Sequence, residues 1–371
     1  MRIGVSAWRL AGQRLGIGRY IEYLLRHWNS MLDPHDKVTV FLREDLDTST
    51  LGLSSAFSTR IIRPALTNAI WENVLLPKFT DDVDVLFGPS HTLPLTYRGP
   101  SVVAIHNVDV VEGSLPWWHR YTYDQKFRLS ARKADRVIAN SEDVRLRIHS
   151  HYGVPLQKID AIWLGADDAF QPIDDPAVLQ AARIRYLGSD RPYVLFMGGL
   201  SRRRNVPALL EAFRILKKKH RIPHALLLVG PNRSNVPLAE LSARFDIADS
   251  VVHTVGRVAR HTELVPVYCA ADLFVLPSTS EGFSLTLAEA MACGTPAITV
   301  NRAALGEVAH GYALTLEEPT VEALAQAMWR VLSDSDLRSE LRRKGLERAR
   351  QLRWPEAARR TLEILRRVAG Q

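Results

Sequence analysis

Short runs of apolar and β-branched residues alternate along this chain with longer segments in which apolar residues recur at helical spacing. Such alternation is typical of an α/β architecture, in which helices cover a parallel sheet. In the first half of the chain, the apolar runs predict seven strands that together form one sheet. They are residues 2–7, 37–42, 60–63, 83–87, 102–106, 136–139 and 159–163.

A second series of strands follows a turn-rich stretch at residues 165–190, where Asp and Pro interrupt the periodicity. Five apolar runs predict a second sheet, at residues 193–197, 225–229, 251–255, 273–276 and 297–300. Amphipathic segments such as 206–219 separate these runs and predict the covering helices. Three more helices follow, and the last one opens at Trp354 and Pro355.

The length of the chain supports two domains, because 371 residues exceed the usual size of a single hydrophobic core. We expect a first domain at residues 1–165, a second at 166–353, a ligand cleft between them, and a terminal helix at 354–371 that needs a surface to cover. The content of 46% hydrophobic and 24% charged residues is globular and argues against disorder.

Targeting and membrane signals are weak. The start of the chain lacks the longer apolar stretch of a signal peptide, and no later segment approaches the roughly 20 apolar residues that span a bilayer. Cys269 and Cys293 show no ligand spacing, so we interpret them as reduced core residues of a cytoplasmic protein, with a disulfide left open.

The basic charge is concentrated near the end of the chain. The net charge is +8, and residues 337–371 hold 11 Lys or Arg against 4 Asp or Glu, which leaves +7 there. Nucleic acid or anionic lipid would suit such a tail. The mixture of Arg, Glu and Leu favours helices with solvated faces instead, and no nucleic-acid motif is present.

The most informative stretch is residues 278–296, which lie between two apolar strands and contain a Gly turn followed by a helix. In such a βαβ unit the turn faces the ligand, and a helix start at Phe283 or Ser284 would offer free amides to a diphosphate. Gly282 and Leu285 flank this start. Glu281 and Glu289 suit opposite ends of an extended ligand such as a sugar nucleotide. The alternative is that Glu281 caps the helix and Glu289 faces solvent.

A second anion-binding pattern is residues 193–205, where a strand ends in a Gly-Gly turn followed by Arg202, Arg203 and Arg204. Flexible backbone and guanidinium groups together make a cradle for phosphate. A solvated helix start is the alternative, although positive charge opposes the dipole at that end of a helix.

Residues 281–296 resemble the signature of the retaining glycosyltransferases of family 4 (GT4, glycosyl transferases group 1), and the resemblance covers nearly the whole chain. These enzymes have the GT-B fold of two facing Rossmann-like domains, with a C-terminal helix that returns to the first domain. The resemblance implies that the first domain receives the acceptor and the second binds the nucleotide-sugar donor. It also implies that Glu289 binds the donor ribose and that Glu281 lies by the donor sugar.

The phosphate cradle departs from the family pattern at two positions. In the family, an Arg commonly occupies the position of Gly199 and a Lys that of Arg204, and both contact the diphosphate. Arg204 keeps the charge, but Gly199 does not. We therefore expect Arg202 or Arg203 to compensate, or phosphate binding to be weaker.

The first domain offers further candidates at strand ends. Gly16 and Gly18 permit close backbone approach but lack the third glycine of a dinucleotide fingerprint, so alone they suit a structural turn equally well. They resemble the family loop that lies against donor and acceptor, which places Arg19 and Tyr20 on the acceptor side. His106 matches a family His that contacts the donor sugar.

Other polar residues near these strand ends have less specific signals. Asn107 stands where an Asp often follows the family His, and Asn140 with Ser141 resembles the polar end of another strand. The pair Asp82 and Asp84 enters a strand, whereas a metal-binding Asp-x-Asp leaves one, so we expect no metal site. Aromatic and basic residues at 117–128 suit either a half-buried helix or a surface that docks a lipid-linked acceptor.

Together these features predict a retaining, metal-independent glycosyltransferase that needs no cofactor. It would transfer a hexose, with mannose from GDP-mannose as our choice and a UDP- or dTDP-sugar as the alternative donor, to a glycan or lipid-linked acceptor of a bacterial-type surface polysaccharide. We expect a cytoplasmic enzyme with peripheral membrane contact and no nucleic-acid partner. A non-catalytic sugar-nucleotide or glycan-binding protein and a GT-B UDP-sugar epimerase are the rival functions.

Overall fold

The computed structural model describes residues 1–11, 16–47, 51–108, 117–232, 234–255 and 261–370. The chain divides into two compact units. The first unit consists of the described residues up to Leu164 together with those from Trp354 onward, and the second unit is Gly165–Arg353.

The first unit is built on a seven-stranded sheet in which every pair of neighbouring strands is parallel. Its strands are β1 Arg2–Ser6, β2 Lys37–Leu42, β3 Phe57–Ile61, β4 Val85–Gly88, β5 Ser101–Ile105, β6 Arg136–Ala139 and β7 Ile159–Ala161. Their spatial order is β3-β2-β1-β4-β5-β6-β7. The order reverses between β1 and β4, and ligands of open α/β sheets bind at such a switch, beyond the carboxyl ends of the strands.

The third strand lies earlier than the sequence pattern predicts. We expected residues 60–63, whereas β3 is Phe57–Ile61, paired with Val38–Leu42 of β2. Most side chains of β3 are exposed because it is an edge strand, so its residues carry no clear alternation of apolar and polar positions. The helices of this half are α1 Ile17–Trp28, α2 Asn68–Ile70, α3 Trp117–Lys133 and α4 Glu142–Tyr152.

The second unit contains a six-stranded parallel sheet with the order β10-β9-β8-β11-β12-β13. Its strands are β8 Tyr193–Met197, β9 Ala225–Val229, β10 Val251–Thr254, β11 Leu273–Leu276, β12 Ala297–Val300 and β13 Leu314–Leu316. We did not predict β13, because three half-buried residues give too short an apolar run. The helices are α5 Pro176–Leu187, α6 Val206–Ile215, α7 Leu238–Arg244, α8 Val265–Cys269, α9 Leu285–Ala292, α10 Ala303–Ala309, α11 Val321–Ser333 and α12 Ser335–Ala349.

Two glycines shape the carboxyl edge of the second sheet. Gly198 follows β8 with φ +135, and Gly230 follows β9 with φ +141. A Cβ atom on Gly230 would lie 2.2 Å from the carbonyl oxygen of Gly198. The two turns approach this closely because neither position carries a side chain.

The last helix, α13 Trp354–Val368, belongs to the first unit and packs along α1. The indole Nε1 of Trp28 donates a hydrogen bond to the carbonyl of Ala358 over 2.9 Å, and both Trp28 and Leu365 are fully buried. Arg366 pairs with the buried carboxylate of Asp36 at 3.0 Å. The predicted fold class, two parallel α/β sheets with a terminal helix on the first, is confirmed.

Candidate active site

The turn between β11 and α9 carries Glu281. The helix begins at Leu285, slightly later than the predicted start at Phe283 or Ser284. Ser284 is instead the N-cap, and its hydroxyl accepts a hydrogen bond from the amide of Leu287 over 3.4 Å. Its φ of +80 is unusual for a residue other than glycine, and such backbone strain clusters at functional turns.

Glu281 lies between two arginines. Its Oε2 is 2.7 Å from Nη1 of Arg203, its Oε1 accepts from Nε of Arg204 over 2.9 Å, and the hydroxyl of Ser278 donates to the same Oε1 over 3.1 Å. Burial of the Glu281 carboxyl opposes ionisation, but the two guanidinium groups outweigh this effect and hold its pKa below the usual value. Two cations and one anion leave the cluster with a net charge of +1, which suits a diphosphate.

The three arginines form a separate turn rather than the start of α6. Arg202–Arg204 is one 3-10 turn, and Asn205, with φ +52, separates it from the helix at Val206. Arg202 is exposed, while Arg203 and Arg204 face Glu281. The carbonyl of Arg203 also accepts the amide of Thr279 over 2.8 Å, so this turn and the Glu281 turn hold each other in place.

Arg204 also packs against the Gly-Gly turn. Its Nη1 donates to the carbonyl of Gly199 over 3.3 Å. A Cβ atom on Gly198 would lie 1.7 Å from this Nη1, so the guanidinium covers the glycine directly. The guanidinium of Arg204 can therefore lie at this position only because Gly198 has no side chain.

Glu289 lies in α9, and its side chain is 3% exposed, so the solvent-facing alternative is wrong. The hydroxyl of Tyr268 donates to its Oε2 over 2.7 Å, and Nε2 of His261 is 2.9 Å from its Oε1. The ring of Phe170 lies 5.4 Å from that of His261 and 5.8 Å from that of Tyr268. Glu281 and Glu289 thus have different sets of partners, as we expected for two ends of an extended ligand.

His106 follows β5 in the first unit. Its Nε2 is 2.8 Å from the carbonyl of Pro89, which can only accept, so Nε2 carries the hydrogen. Burial lowers the pKa of His106 to about 4, and the ring is therefore neutral at pH 7 with the lone pair on Nδ1. The ring of Tyr20 meets it edge-on at 4.5 Å. This arrangement lets His106 accept a hydrogen bond from a hydroxyl group.

The remaining candidates of the first unit lie around the start of α1 and the ends of β5 and β6. Gly16 is the N-cap of α1 with φ +42, and Gly18, Arg19 and Tyr20 occupy the first turn, where all three are buried. Asn107 is half-buried, and Asn140 is buried. Ser141 is the N-cap of α4, and its hydroxyl accepts from the amide of Val144 over 3.1 Å, which gives it a structural task.

The acidic pair before β4 has a structural partner. Asp84 forms an ion pair with Arg2 at 2.7 Å. Among the described residues, no cluster of His, Cys, Asp or Glu has an arrangement that would hold a metal ion.

The helices of the described chain include none that is long and apolar enough to cross a membrane. Cys269 and Cys293 are both free thiols.

The aromatic and basic segment forms the first half of α3. Trp118 is 53% exposed and Tyr121 62% exposed, whereas Phe127 is half-buried. Lys126 lies over the ring of Tyr123 at 5.5 Å. The side chain of Trp117 lies outside the described residues. The start of this helix therefore presents aromatic and basic side chains to solvent.

Sequence reasoning gave no role to His261 and Tyr268, which contact Glu289, or to Phe170, whose ring lies near theirs. It also gave none to Ser278, which contacts Glu281 from within the stretch 278–296. The helix α8 brings Tyr268 to Glu289 from 21 residues upstream. No motif marks Phe170, His261 or Tyr268, because tertiary packing brings these three residues together.

Comparison with known families gives matches in both halves of the chain. Residues 182–348 match the family model described as glycosyl transferases group 1, and residues 15–170 match the one described as glycosyltransferase family 4. The fold and these matches define a glycosyltransferase of the GT-B class. The two matched regions account for most of the chain, and it belongs to the GT4 family.

Two relatives illustrate the range of the family. An O-antigen chain mannosyltransferase B from Escherichia coli is 27% identical over 364 residues, which cover 94% of this chain and 92% of that protein. A D-inositol 3-phosphate glycosyltransferase from Rhodococcus erythropolis (strain PR4 / NBRC 100887) is 28% identical over 75% of this chain. This chain spans 63% of that relative's length.

Solved structures share the fold at low sequence identity. Sucrose-phosphate synthase from Thermosynechococcus elongatus matches with a TM-score of 0.78 and 21% identity, over 99% of each chain. Anabaena Alr3699/HepE in complex with UDP-glucose matches with a TM-score of 0.78 and 18% identity, over 98% of this chain and 99% of that one.

Proposed function

We propose that this enzyme transfers a hexose, with mannose as the first choice, from a nucleotide-diphosphate sugar to a glycan or lipid-linked acceptor, with retention of anomeric configuration and without a metal ion. The observation that carries the proposal is the Glu281 cluster. Its net positive charge lies beside the start of α9, where helix amides also favour an anion.

The chemistry of the donor follows from the charges of this cluster. When the bond between the anomeric carbon and the diphosphate breaks, negative charge grows on the leaving phosphate. Arg204 and the amides at the start of α9 are preorganised to stabilise that charge. Glu281 keeps Arg203 and Arg204 in place and remains ionised at neutral pH, since its pKa is lowered. In the proposed reaction, the acceptor hydroxyl attacks the anomeric carbon from the face that the diphosphate leaves. The bond to the diphosphate breaks, and the leaving phosphate takes up the hydroxyl proton.

Glu289 has the properties of a ribose anchor. Its carboxylate accepts from Tyr268 and His261, and carboxylate oxygens are good acceptors for vicinal hydroxyl groups. The nucleobase is not determined by these contacts. The name of the E. coli relative, an O-antigen chain mannosyltransferase, supports mannose as the sugar and a role in surface polysaccharide synthesis, and GDP-mannose is our preferred donor of that sugar.

We assign the acceptor to the first unit. Arg19 and Tyr20, which are buried at the start of α1, are the acceptor-side residues that the family resemblance implies, and the neutral His106 ring suits a hydroxyl group of the donor sugar. The exposed aromatic and basic residues of α3 would suit a lipid-linked acceptor.

A donor screen followed by product analysis tests the proposal. Thermal shift of the protein with UDP-, GDP- and dTDP-sugars identifies the nucleotide, because a bound ligand raises the unfolding temperature according to its affinity and concentration. The selected donor is then incubated with octyl glycosides, and NMR reads the configuration of the new bond. An inverted product would contradict retention, and binding without transfer or hydrolysis would favour a sugar-nucleotide-binding protein.

A further inference from the structure

His91 lies just after β4 in a strained conformation. Its φ is +72, a region that residues other than glycine seldom enter. Its amide donates to the carbonyl of Ala104 on β5 over 3.0 Å, which fixes the backbone at the carboxyl edge of the sheet. An observed outlier of this kind supports a hypothesis of function.

The imidazole of His91 is held by two other rings. It stacks on Phe127 with centroids 4.5 Å apart and planes 7° apart, and it meets His106 edge-on at 5.1 Å. Burial, and then the neighbouring His106 and Arg9, lower the pKa of His91 well below its usual value, so the ring is neutral. His91 is therefore rigidly placed next to a residue already assigned to the site.

The Nδ1 atom of His91 is buried, and among the described residues it has no hydrogen-bond partner. The whole residue is 7% exposed. A buried polar atom without a partner destabilises the folded state, so folding alone gives no reason to keep a nitrogen there. A hydroxyl group of a bound ligand would satisfy it.

Three other buried atoms near this edge share the same property within the described chain: Oγ of Ser6, Oγ of Ser90 and Oδ1 of Asn140. The registers align the ends of these strands: Val5 pairs with Phe87, so Ser6 is level with Gly88, and Ile105 pairs with Ala139, so His106 is level with Asn140. Ser6 is the last residue of β1, Ser90 and His91 follow β4, and Asn140 follows β6. The four atoms therefore lie along one edge of the sheet, and each belongs to a neutral hydroxyl, amide or imidazole group.

We propose that His91 is a further substrate-binding residue, whose Nδ1 forms a hydrogen bond with a hydroxyl group of the acceptor sugar in a subsite shared with Ser6, Ser90 and Asn140. This inference rests on the proposed function, in which the first unit receives the acceptor. His91 is assigned to binding and not to the bond-making step.

Two substitutions separate binding from structure. His91→Phe keeps an aromatic ring against Phe127 but removes both nitrogens. His91→Asn loses the ring, places an amide where Nδ1 lies, and tolerates positive φ. His35→Phe is the control, because His35 is an exposed histidine of the same unit outside the site.

The measurements use the donor that the wild-type enzyme accepts and octyl glycosides of mannose, glucose, galactose and N-acetylglucosamine as acceptors. We expect His91→Phe to raise the acceptor KM about tenfold, the value of one hydrogen bond, with the donor KM unchanged. His91→Asn should recover most of this loss. The unfolding temperature of ligand-free His91→Phe should stay close to that of the wild type, because removal of an unsatisfied atom offsets the added strain of Phe at positive φ.

An unchanged acceptor KM in His91→Phe would overturn the proposal, and so would a lower unfolding temperature with equal losses for donor and acceptor. If the wild-type enzyme transfers no sugar, the proposed function fails separately. In that case, calorimetry tests the assignment of His91 to acceptor binding. It measures the affinity for the same octyl glycosides in the presence of the nucleoside diphosphate. Binding that is weakened in His91→Phe alone would support the assignment, and no binding to the wild type would overturn it.

Discussion

Arg204 and Glu281 are 77 residues apart in the sequence, yet Nε of Arg204 donates to Oε1 of Glu281 over 2.9 Å. The contact joins the turns that follow β8 and β11, which are neighbouring strands of the second sheet. The cation that we propose for phosphate binding and the carboxylate that we propose beside the donor sugar are thus parts of one cluster, so a change at either residue should affect the other.

Replacing Arg204 by Ala should raise the donor KM or lower kcat by about 10–100-fold, because it removes a charge-assisted contact to the diphosphate and leaves Glu281 with Arg203 as its remaining guanidinium. Steady-state kinetics with the selected donor measures this. Arg202→Ala is the matched control, since Arg202 is exposed in the same turn, and it should behave like the wild type. Unchanged kinetics of Arg204→Ala would remove Arg204 from the site.

Gly199→Arg should strengthen nucleotide binding about 3–10-fold, because it adds a guanidinium beside the cluster. The strained backbone belongs to Gly198, with φ +135, so the change at Gly199 avoids that position. Calorimetry with the nucleoside diphosphate gives the Kd, and Gly199→Gln controls for side-chain size. Equal or weaker binding of Gly199→Arg relative to Gly199→Gln would show that this position does not face the phosphates.

Glu289→Gln should weaken binding of the nucleoside diphosphate by about tenfold or more, since hydrogen bonds to a charged acceptor are worth about 1.5–3 kcal/mol. Tyr268→Phe removes the 2.7 Å hydrogen bond but leaves the carboxylate, so its effect should be smaller. The comparison of the two Kd values distinguishes a direct ribose contact from a loss of local packing. Similar losses in both variants would contradict the ribose assignment.

Excess EDTA should leave the rate of transfer unchanged, because in the proposed reaction Arg204 and helix amides stabilise the leaving diphosphate in place of a metal ion. The assay compares initial rates with and without EDTA after dialysis. Loss of turnover that Mn²⁺ restores would refute a metal-independent mechanism.

Glu72→Gln should stabilise the protein at high pH. Burial raises the pKa of Glu72 to about 7 from an ordinary 4.5, with partial offset by the hydroxyl of Thr92 at 2.8 Å and by Lys126. The folded state therefore holds this proton more tightly than the unfolded chain, and stability falls as pH rises from 4.5 through 7. The neutral Gln side chain should therefore raise the free energy of unfolding by up to about 3 kcal/mol at pH 8.

Urea unfolding at pH 5 and pH 8 measures this difference, and Glu44→Gln, at an exposed glutamate of the same unit, is the control. A gain from Glu72→Gln that is equal at both pH values would show that the carboxyl does not titrate in this range.

The sequence predicts the sheets well where strands are buried on both faces, as in β8, β9 and β11, because their apolar runs are continuous. At the sheet edges it predicts β7 and β10, places the exposed β3 too late in the chain and misses the short β13. In the site, Glu281 and Glu289 carry local signals. The partners of Glu289 do not, since Tyr268 reaches it through tertiary packing, and His91 is recognised by its backbone and its buried nitrogen rather than by a motif.

The position of α13 has a consequence for the order in which the protein forms during synthesis. Chains emerge from the ribosome with the N-terminal part first. The second unit, whose ends meet in a bridge between Ala166 and Arg353, is complete before α13 appears. Trp28 and the apolar face of α1 therefore lack the cover of α13 until residues 165–353 have been synthesised. The first unit begins first and is finished last, so truncation after Arg353 should yield a folded second unit beside an aggregation-prone first one.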